Sequence, residues 1–187
     1  MNIWTISKRT LSVRWEHGDF VNVIAKRVCA HHNGSARLRV LFVCTGNSCR
    51  SQIAEGWTRA LLGHVIEAHS AGIDPRGLDS SAVDVMAEAG VDISRCRSKR
   101  IDEKSLGSFD CIVTLSERAR AAISLSEYSG EILHSGLPAS PKSATPDPLA
   151  YYRCVRDEIR VLVLSLRLNP DATSVLQSFR GGDSDSS

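Results

Sequence analysis

The sequence predicts an α/β protein, a single doubly wound domain in which helices flank a four-stranded parallel sheet. Three observations predict it. Short apolar runs typical of strands alternate along the chain with segments of helical periodicity. The first run, 37–44, is apolar throughout its second half, as in strands that a parallel sheet buries on both faces. A length of 187 residues and a hydrophobic content of 42% suffice for one core of this size.

Changes of periodicity and helix-ending glycines give the bounds of each element. The first helix begins at Ser51 and ends near Gly63, and Gly90 ends the second helix in the same way. In chain order we predict a strand at 37–44, a helix at 51–62, a strand at 65–69 with a turn at 70–72, a helix at 80–89, a helical turn at 102–106, a strand at 109–115, a helix at 117–123, a strand at 131–134 and a helix at 150–168.

The two ends of the chain differ in composition from this domain, which spans 37–168. Residues 1–36 have no sustained period, and the first forty residues hold seven Lys or Arg against two acidic residues. We expect a basic extension, which is either a disordered targeting or partner-binding arm or the product of a misassigned start codon. Residues 169–187 are polar and rich in Gly, Asp and Ser, which predicts a disordered tail.

Composition excludes several classes of protein. No run of 18 apolar residues exists, so we expect no membrane span. The basic arm lacks the apolar segment of a secretory signal, and we expect a cytoplasmic protein. A net charge of +2 does not predict a nucleic-acid partner. The six cysteines have neither C-x-x-C nor zinc-finger spacing, so we predict no metal site and mostly reduced thiols.

The segment after the first strand predicts an oxyanion-binding loop. Cys44 ends the strand, Arg50 follows six positions later, and a helix begins at Ser51. Backbone N–H groups of such a loop and the following helix N-terminus bind tetrahedral oxyanions. The same field favours a thiolate. We predict that the loop residues Thr45, Gly46, Asn47, Ser48 and Cys49 surround the anion.

The side chains of this loop suggest nucleophilic catalysis. We predict Cys44 as the nucleophile and Arg50 as a planar fork of donors for the oxyanion. Ser51 would donate its hydroxyl to the thiolate, and Asn47 would hold the loop in place. The spacing alone is weak, because Cys154 and Arg160 share it in a segment predicted to be helical. The alternative is a buried structural cysteine at a strand end.

Displacement at phosphorus or arsenic also needs an acid that protonates the leaving oxygen. Asp147 is the best candidate, because it lies late in the chain between two prolines that restrict its geometry. The alternative is an ordinary Asp-Pro turn.

Residues 44–57 resemble the arsenate reductases built on the low-molecular-weight protein tyrosine phosphatase fold, and the resemblance covers roughly 37–168. It implies an enzyme of arsenic detoxification with a covalent Cys44–oxyanion adduct, Arg50 in binding and Asp147 as the acid. The segments that carry it are Cys-Thr-Gly-Asn-Ser-Cys-Arg-Ser-Gln-Ile-Ala-Glu-Gly-Trp at 44–57, Ser-Ala-Gly-Ile at 70–73, Asp-Ile-Ser at 92–94, Ile-Val-Thr-Leu at 112–115, Asp-Pro at 147–148 and Val-Arg-Asp-Glu-Ile at 155–159.

The chain departs from this family in its redox residues. Ser116 stands where thioredoxin-coupled members have a resolving cysteine, and 117–130 contains no cysteine. The resemblance together with these missing cysteines implies that no cofactor is bound and that an external thiol, such as glutathione or mycothiol, acts with a glutaredoxin-like partner. Cys49 could form a protective disulfide with Cys44, as in similar loops.

The resemblance also implies a potassium site at Asn47, Glu55 and Ser70. Lys99 stands where the family has an aspartate, and its ammonium could take the place of the ion.

Two reactions fit the same site. In arsenate reduction, Cys44 attacks arsenate and the external thiol releases arsenite. In the alternative, phosphomonoester hydrolysis, water activated by Asp147 discharges a phosphocysteine. The phosphatases carry aromatic residues beside the acid. Here Leu149 and Ala150 follow Asp147-Pro148, and Tyr151 and Tyr152 come only after them, where the helix is predicted. A third hypothesis is a non-catalytic anion-binding module, against which the complete set of catalytic residues argues.

Overall fold

The computed structural model of this chain describes residues 37–124, 126–137 and 147–166. Within these ranges four strands form one parallel sheet in the order β2-β1-β3-β4, which confirms the predicted fold class. The elements are β1 (Leu38–Cys44), α1 (Arg50–Leu62), β2 (Ile66–Gly72), α2 (Ser80–Glu88), a 3₁₀ helix (Glu103–Ser108), β3 (Cys111–Thr114), α3 (Glu117–Ser124), β4 (Glu131–His134) and α4 (Ala150–Ser165).

Some predicted segments lie outside the described residues. These are the basic extension at 1–36, the tail at 169–187 and the last two residues of the final predicted helix.

The predicted turn at 70–72 is wrong, because these residues continue β2. Ser70, Ala71 and Gly72 pair in parallel register with the last three residues of β1. Their small side chains favour a turn locally, but in the structure Ser70 and Ala71 are buried. The small size of these residues lets the end of β2 lie close to the loop that follows β1.

Helices cover both faces of the sheet. On one face, Phe42 of β1 belongs to a core cluster with Ile53 of α1 and Ile159 of α4. On the other face, Val43 belongs to a cluster with Ile123 of α3. The first strand is therefore buried on both sides, as its continuous apolar run predicts. None of the helices in the described ranges is long and apolar enough to span a membrane.

The strand order locates the crevice of the fold. From β1 the chain first moves to β2 on one side and then returns to β3 on the other side. In doubly wound sheets ligands bind at this switch point, beyond the carboxyl ends of the strands. Cys44 is the last residue of β1, so the predicted loop begins at this point.

Candidate active site

The loop between Cys44 and Arg50 makes a tight connection from strand to helix. Cys44 is 2% exposed and Asn47 is completely buried. Asn47 has a φ of 45°, in the left-handed region that asparagine tolerates better than most residues. Arg50 is the first residue of α1. The predicted strand–loop–helix arrangement is confirmed.

The carbonyl groups of this loop are bound from one side by the segment 73–79. Four backbone N–H groups of that segment donate to four loop carbonyls: Ile73 to Cys44 at 3.2 Å, Asp74 to Thr45 at 2.8 Å, Arg76 to Gly46 at 3.0 Å and Asp79 to Ser48 at 3.0 Å. The hydroxyl of Ser98 donates to the carbonyls of Gly46 and Asn47, both at 2.9 Å. In a trans peptide the C=O and the following N–H point in opposite directions. The N–H groups that follow these carbonyls are therefore directed to the opposite side of the loop, where the Asn47 N–H donates to Cys44 Sγ, and N–H groups arranged in this way make an anion-binding nest.

Gly72 lets the end of β2 approach the loop. A Cβ at this position would lie 2.8 Å from the backbone N of Asn47 and 3.0 Å from the carbonyl carbon of Gly46. Real Cβ atoms do not approach backbone atoms so closely, so the position requires glycine. The geometry of the nest thus depends on the absence of one side chain on the neighbouring strand.

The Cys44 thiol receives two hydrogen-bond contacts from this loop and helix. The N–H of Asn47 donates to Cys44 Sγ at 3.2 Å, and Ser51 Oγ lies 2.9 Å from the same sulfur. Ser51 Oγ accepts from Asn47 Nδ2 at 2.8 Å, so its own hydrogen is free to point at the sulfur. Two donors on one sulfur stabilise a thiolate, the form in which cysteine acts as a nucleophile.

A buried polar network extends from this thiol to the surface. Asn47 Nδ2 also donates to Ser70 Oγ at 2.9 Å, and the Ser70 hydroxyl donates to Glu55 Oε2. Lys99 Nζ lies 3.4 Å from that carboxylate oxygen, and the Lys99 N–H donates to Asn47 Oδ1 at 2.7 Å. The lysine ammonium therefore contacts Glu55, one of the three residues to which the resemblance assigned a potassium ion, and the Lys99 backbone contacts a second, Asn47.

Arg50 is anchored across the switch point of the sheet. Its Nη1 donates to the carbonyl oxygen of Leu115, directly after β3, at 3.0 Å. This bond orients the guanidinium and leaves further donors of its fork for an oxyanion. The role of Arg50 in oxyanion binding stays a prediction.

Ser116 lies next to the anion loop. Its Oγ is 3.2 Å from Thr45 Oγ1 and accepts from the N–H of Ala119, which caps α3. The position at which the resemblance implies a resolving cysteine is thus in direct contact with the loop.

The five cysteines of the described ranges are all free. Cys111 lies in the core, Cys96 is half-buried and Cys154 is exposed on α4. Burial, together with the charges of Asp79 and Cys44, raises the pKa of Cys49 to about 12. Cys49 therefore remains a protonated thiol at neutral pH and reacts more slowly than a thiolate would.

Asp79 connects the loop to the last helix. Its Oδ1 accepts from the N–H of Ser81 at 2.9 Å, which caps α2, and its Oδ2 accepts from the Tyr152 hydroxyl at 2.7 Å. Burial, followed by this hydrogen bond, raises the pKa of Tyr152 to about 12. The prediction that Tyr151 and Tyr152 are already helical is confirmed, and the Tyr152 hydroxyl is occupied by Asp79.

Asp147 lies in the turn that precedes α4. Its Oδ1 accepts from the N–H of Leu149 at 2.8 Å, and its Oδ2 accepts from Arg153, which also binds Glu88 of α2. The structure brings Cys44, Asn47 and Ser51 together and binds Arg50 to the Leu115 carbonyl, whereas it places Asp147 with Arg153. The acid role of Asp147 stays a prediction.

Sequence reasoning missed the residues that fix the loop from outside. These are the segment 73–79, Ser98 and Gln52, whose amide donates to the Asn47 carbonyl at 3.2 Å and to the Arg97 carbonyl at 2.9 Å. The one signal for Gln52 in the sequence was its position as a polar residue between Ser51 and Ile53. In the structure Gln52 is completely buried. The backbone donors of 73–79 have no side-chain signature.

Known proteins resemble this chain in sequence and in fold. The family model described as low molecular weight phosphotyrosine protein phosphatase matches residues 39–159. The arsenate reductase of Halalkalibacterium halodurans is 41% identical over 122 residues, which are 64% of this chain and 88% of that protein.

Two solved structures resemble this one. A low molecular weight protein tyrosine phosphatase from T. tengcongensis is 34% identical with a TM-score of 0.57, over 69% of this chain and 97% of that one. An arsenate reductase in the phosphate-binding state is 26% identical with a TM-score of 0.53, over 71% of this chain and 99% of that one.

Proposed function

The chain belongs to the low molecular weight phosphotyrosine protein phosphatase family and is a cysteine-based enzyme, and from this premise we propose that it reduces arsenate to arsenite in the cytoplasm. The observation that carries the proposal is the contact of Cys44 Sγ with the Asn47 N–H and the Ser51 hydroxyl, at the base of an anion nest. The 41% identity to an arsenate reductase, spread over 122 residues, favours this branch of the family.

In the first step the arsenate would occupy the nest. The N–H groups of residues 45–49 and the Arg50 guanidinium would bind its oxygens. The Cys44 thiolate would attack arsenic, and an As–O bond would break. The Ser51 hydroxyl, which stabilises the thiolate, would also assist when sulfur later leaves.

The leaving oxygen requires a proton, which we assign to Asp147. Both of its carboxylate oxygens are bound in the structure, by the Leu149 N–H and by Arg153. Asp147 must therefore exchange Arg153 for the substrate oxygen before it can act as an acid. The turn before α4 must therefore change conformation during the reaction.

In the second step an external thiol would reduce the arsenic. The thiolate attacks Cys44 Sγ, an S–S bond forms and the S–As bond breaks. The electron pair of that bond stays on arsenic, which leaves as arsenite, and Cys44 remains in a mixed disulfide. Ser116, which lies beside Thr45, supports an external thiol. Its hydroxyl occupies the position at which the resemblance implies a resolving cysteine of the chain itself. A glutaredoxin-like protein would then regenerate the Cys44 thiol.

The test is steady-state arsenate reduction by the full chain with several thiol systems. Thioredoxin with its reductase should not sustain turnover alone, whereas glutathione or mycothiol with a glutaredoxin should. Full activity with thioredoxin alone would refute the external-thiol scheme and assign the resolving role to another cysteine of this chain. Single Cys→Ser variants of Cys49, Cys96, Cys111 and Cys154 would identify it.

Phosphomonoester hydrolysis is the second candidate. Two observations favour it. A 34% identical phosphatase has the same fold, and this chain has Ser116 in place of a resolving cysteine, which hydrolysis does not need. A phenyl phosphate ester tests it in the same enzyme preparation. Hydrolysis of the ester at an enzymatic rate, together with no arsenite from any thiol system, would replace the reductase proposal.

A further inference from the structure

The side-chain amide of Asn47 is held in one orientation. Its Oδ1 accepts from the backbone N–H of Lys99 at 2.7 Å, and Gln52 Nε2 lies 3.2 Å from the same oxygen. Because both of these groups can only donate, Asn47 Nδ2 must face the other way, where Ser51 Oγ lies at 2.8 Å and Ser70 Oγ at 2.9 Å. Both serine hydroxyls therefore accept from this amide.

The carboxylate of Glu55 fixes the direction of the Ser70 hydroxyl. Glu55 is 9% exposed, and its Oε2 contacts Ser70 Oγ. An ionised carboxylate can only accept, so the Ser70 hydrogen points at Glu55 while the Ser70 oxygen accepts from Asn47. The Ser51 oxygen accepts from Asn47 in the same way, and its hydrogen is left for Cys44 Sγ at 2.9 Å. The hydrogen-bond chain from the carboxylate to the sulfur thus ends in a donor that faces the nucleophile.

A buried carboxylate requires a positive charge close to it. Lys99 Nζ lies 3.4 Å from Glu55 Oε2, the oxygen that binds Ser70. Arg59, one turn further along α1, lies 3.7 Å from the other oxygen, Oε1, and its side chain is 52% exposed. Lys99 therefore contacts the chain twice, through its ammonium at Glu55 and through its backbone N–H at Asn47.

The oxygens of this network do not fit a potassium ion, because proteins bind that ion through several oxygen atoms that replace its water. Asn47 Oδ1 already faces two donors, the Lys99 N–H and the Gln52 amide. The Ser70 oxygen accepts from Asn47, and Glu55 Oε2 is in contact with the Lys99 ammonium. The network therefore carries its own cation.

We propose that Lys99 is a positioning residue: its ammonium is a built-in cation that holds the Glu55 carboxylate in the chain, and the enzyme needs no potassium ion to direct the last donor at Cys44. The inference rests on the proposed function in taking Cys44 as the reacting sulfur, and it holds for reduction and ester hydrolysis alike. Without the ammonium, the carboxylate would turn toward solvent, and the Ser70 hydroxyl would lose its acceptor. The Asn47 amide would then lose one of its anchors, and the sulfur would lose a donor of fixed direction.

The experiment measures the reactivity of the Cys44 sulfur itself. The full chain is alkylated with iodoacetamide at neutral pH without substrate, and the Cys44 peptide is followed by mass spectrometry. Each protein is measured in potassium chloride and, at equal ionic strength, in tetramethylammonium chloride, whose bulky cation cannot approach a buried carboxylate. Lys99→Met removes the ammonium but keeps a long side chain and the backbone N–H. Lys104→Met is the matched control, because Lys104 is an exposed lysine on the 3₁₀ helix.

We expect the wild type to react equally fast in the two salts, and Lys104→Met to behave like the wild type. In tetramethylammonium chloride Lys99→Met should react about tenfold more slowly, because the charged sulfur loses a hydrogen bond of fixed direction. Potassium chloride should restore part of this rate, since a small cation can replace the ammonium, and Lys99→Arg should retain the rate in both salts. Adding Glu55→Gln to Lys99→Met should remove the response to potassium, because glutamine has no charge to compensate.

Urea midpoints of the variants exclude unfolding as the cause of a slower reaction. A rate for Lys99→Met equal to that of Lys104→Met would overturn the inference. So would a loss that is restored neither by potassium nor in Lys99→Arg, or a wild type that responds to potassium as Lys99→Met does. Alkylation uses neither arsenate nor a phosphate ester, so absence of arsenite with every thiol system would refute the proposed function and leave these rates unchanged.

Discussion

Replacing Gly72 with alanine tests whether the anion nest is held rigidly by its neighbours. The new Cβ would lie 2.8 Å from the Asn47 nitrogen, whereas ordinary contacts begin at 3.4 Å. The obstructing atoms belong to the backbone, so the loop must move by about 0.6 Å. Because a misplacement of about 1 Å can cost on the order of a hundredfold in rate, we expect kcat/KM to fall about tenfold and phosphate to bind more weakly.

Two other glycines provide controls for the stability effect. A Cβ at Gly56 would lie 2.7 Å from Cγ2 of Ile93, a side-chain contact between α1 and the chain after α2. Gly56→Ala should therefore destabilise the protein by about 1–3 kcal/mol through overpacking, with little effect on phosphate affinity. Gly107 has open space around it, and Gly107→Ala should be neutral in both measurements.

The assays are phosphate affinity by calorimetry, arsenate reduction, and urea unfolding of the three variants. The reasoning is refuted if Gly72→Ala binds phosphate and turns over like the wild type. It is also refuted if Gly56→Ala, at equal loss of stability, loses phosphate affinity to the same extent, because unfolding rather than loop geometry would then explain both.

Four further predictions concern single side chains. Cys44→Ser should abolish arsenite formation and ester hydrolysis with the fold intact by circular dichroism, because a hydroxyl is a poor nucleophile at neutral pH; residual turnover would contradict the assignment. Arg50→Lys should bind phosphate at least tenfold more weakly by calorimetry, since the fork and its Leu115 anchor are lost, and equal affinity would place the guanidinium away from the anion. Asp147→Asn should slow esters with basic leaving groups by about 10²–10⁴-fold, and an unchanged rate would assign the acid role elsewhere. The pKa of Tyr152 is raised from 10.0 to about 12, so its stabilising bond is complete below pH 10 and is lost as the pH rises through 12. Urea midpoints between pH 9 and 11.5 should therefore fall less in Tyr152→Phe than in the wild type, and equal losses would oppose this.

Features that depend on nearby residues could be predicted from the sequence. The continuous apolar run of β1 indicated a strand buried on both faces, and the loop after it indicated the Cys44–Arg50 pair. The bounds of α1, α2 and α3 differ from those predicted by one residue, because glycines and changes of periodicity are local signals, and α4 begins where predicted and ends at Ser165.

Features that depend on distant partners could not be predicted in this way. The segment 70–72 has the composition of a turn, but pairing with β1 makes it a strand. The four donors of 73–79 are backbone groups, which any residue except proline could supply. The Asp147–Arg153 contact depends on the turn geometry before α4, which composition alone does not specify.

The hydrogen bonds between the loop and the segment 73–79 predict which parts of the protein unfold together. The loop lies within the βαβ unit β1-α1-β2 and the segment 73–79 directly follows that unit in the chain, so the amide protons of Ile73, Asp74 and Arg76, which bind the loop, should exchange with deuterium together with the unit. The turn at Asp147 belongs to a distant part of the chain and is bound mainly through exposed groups. Its amides should exchange by separate, local opening. We therefore expect the protein to keep an oxyanion bound while the turn that carries Asp147 is locally open. Oxyanion binding and proton transfer would then be lost at different stages of unfolding.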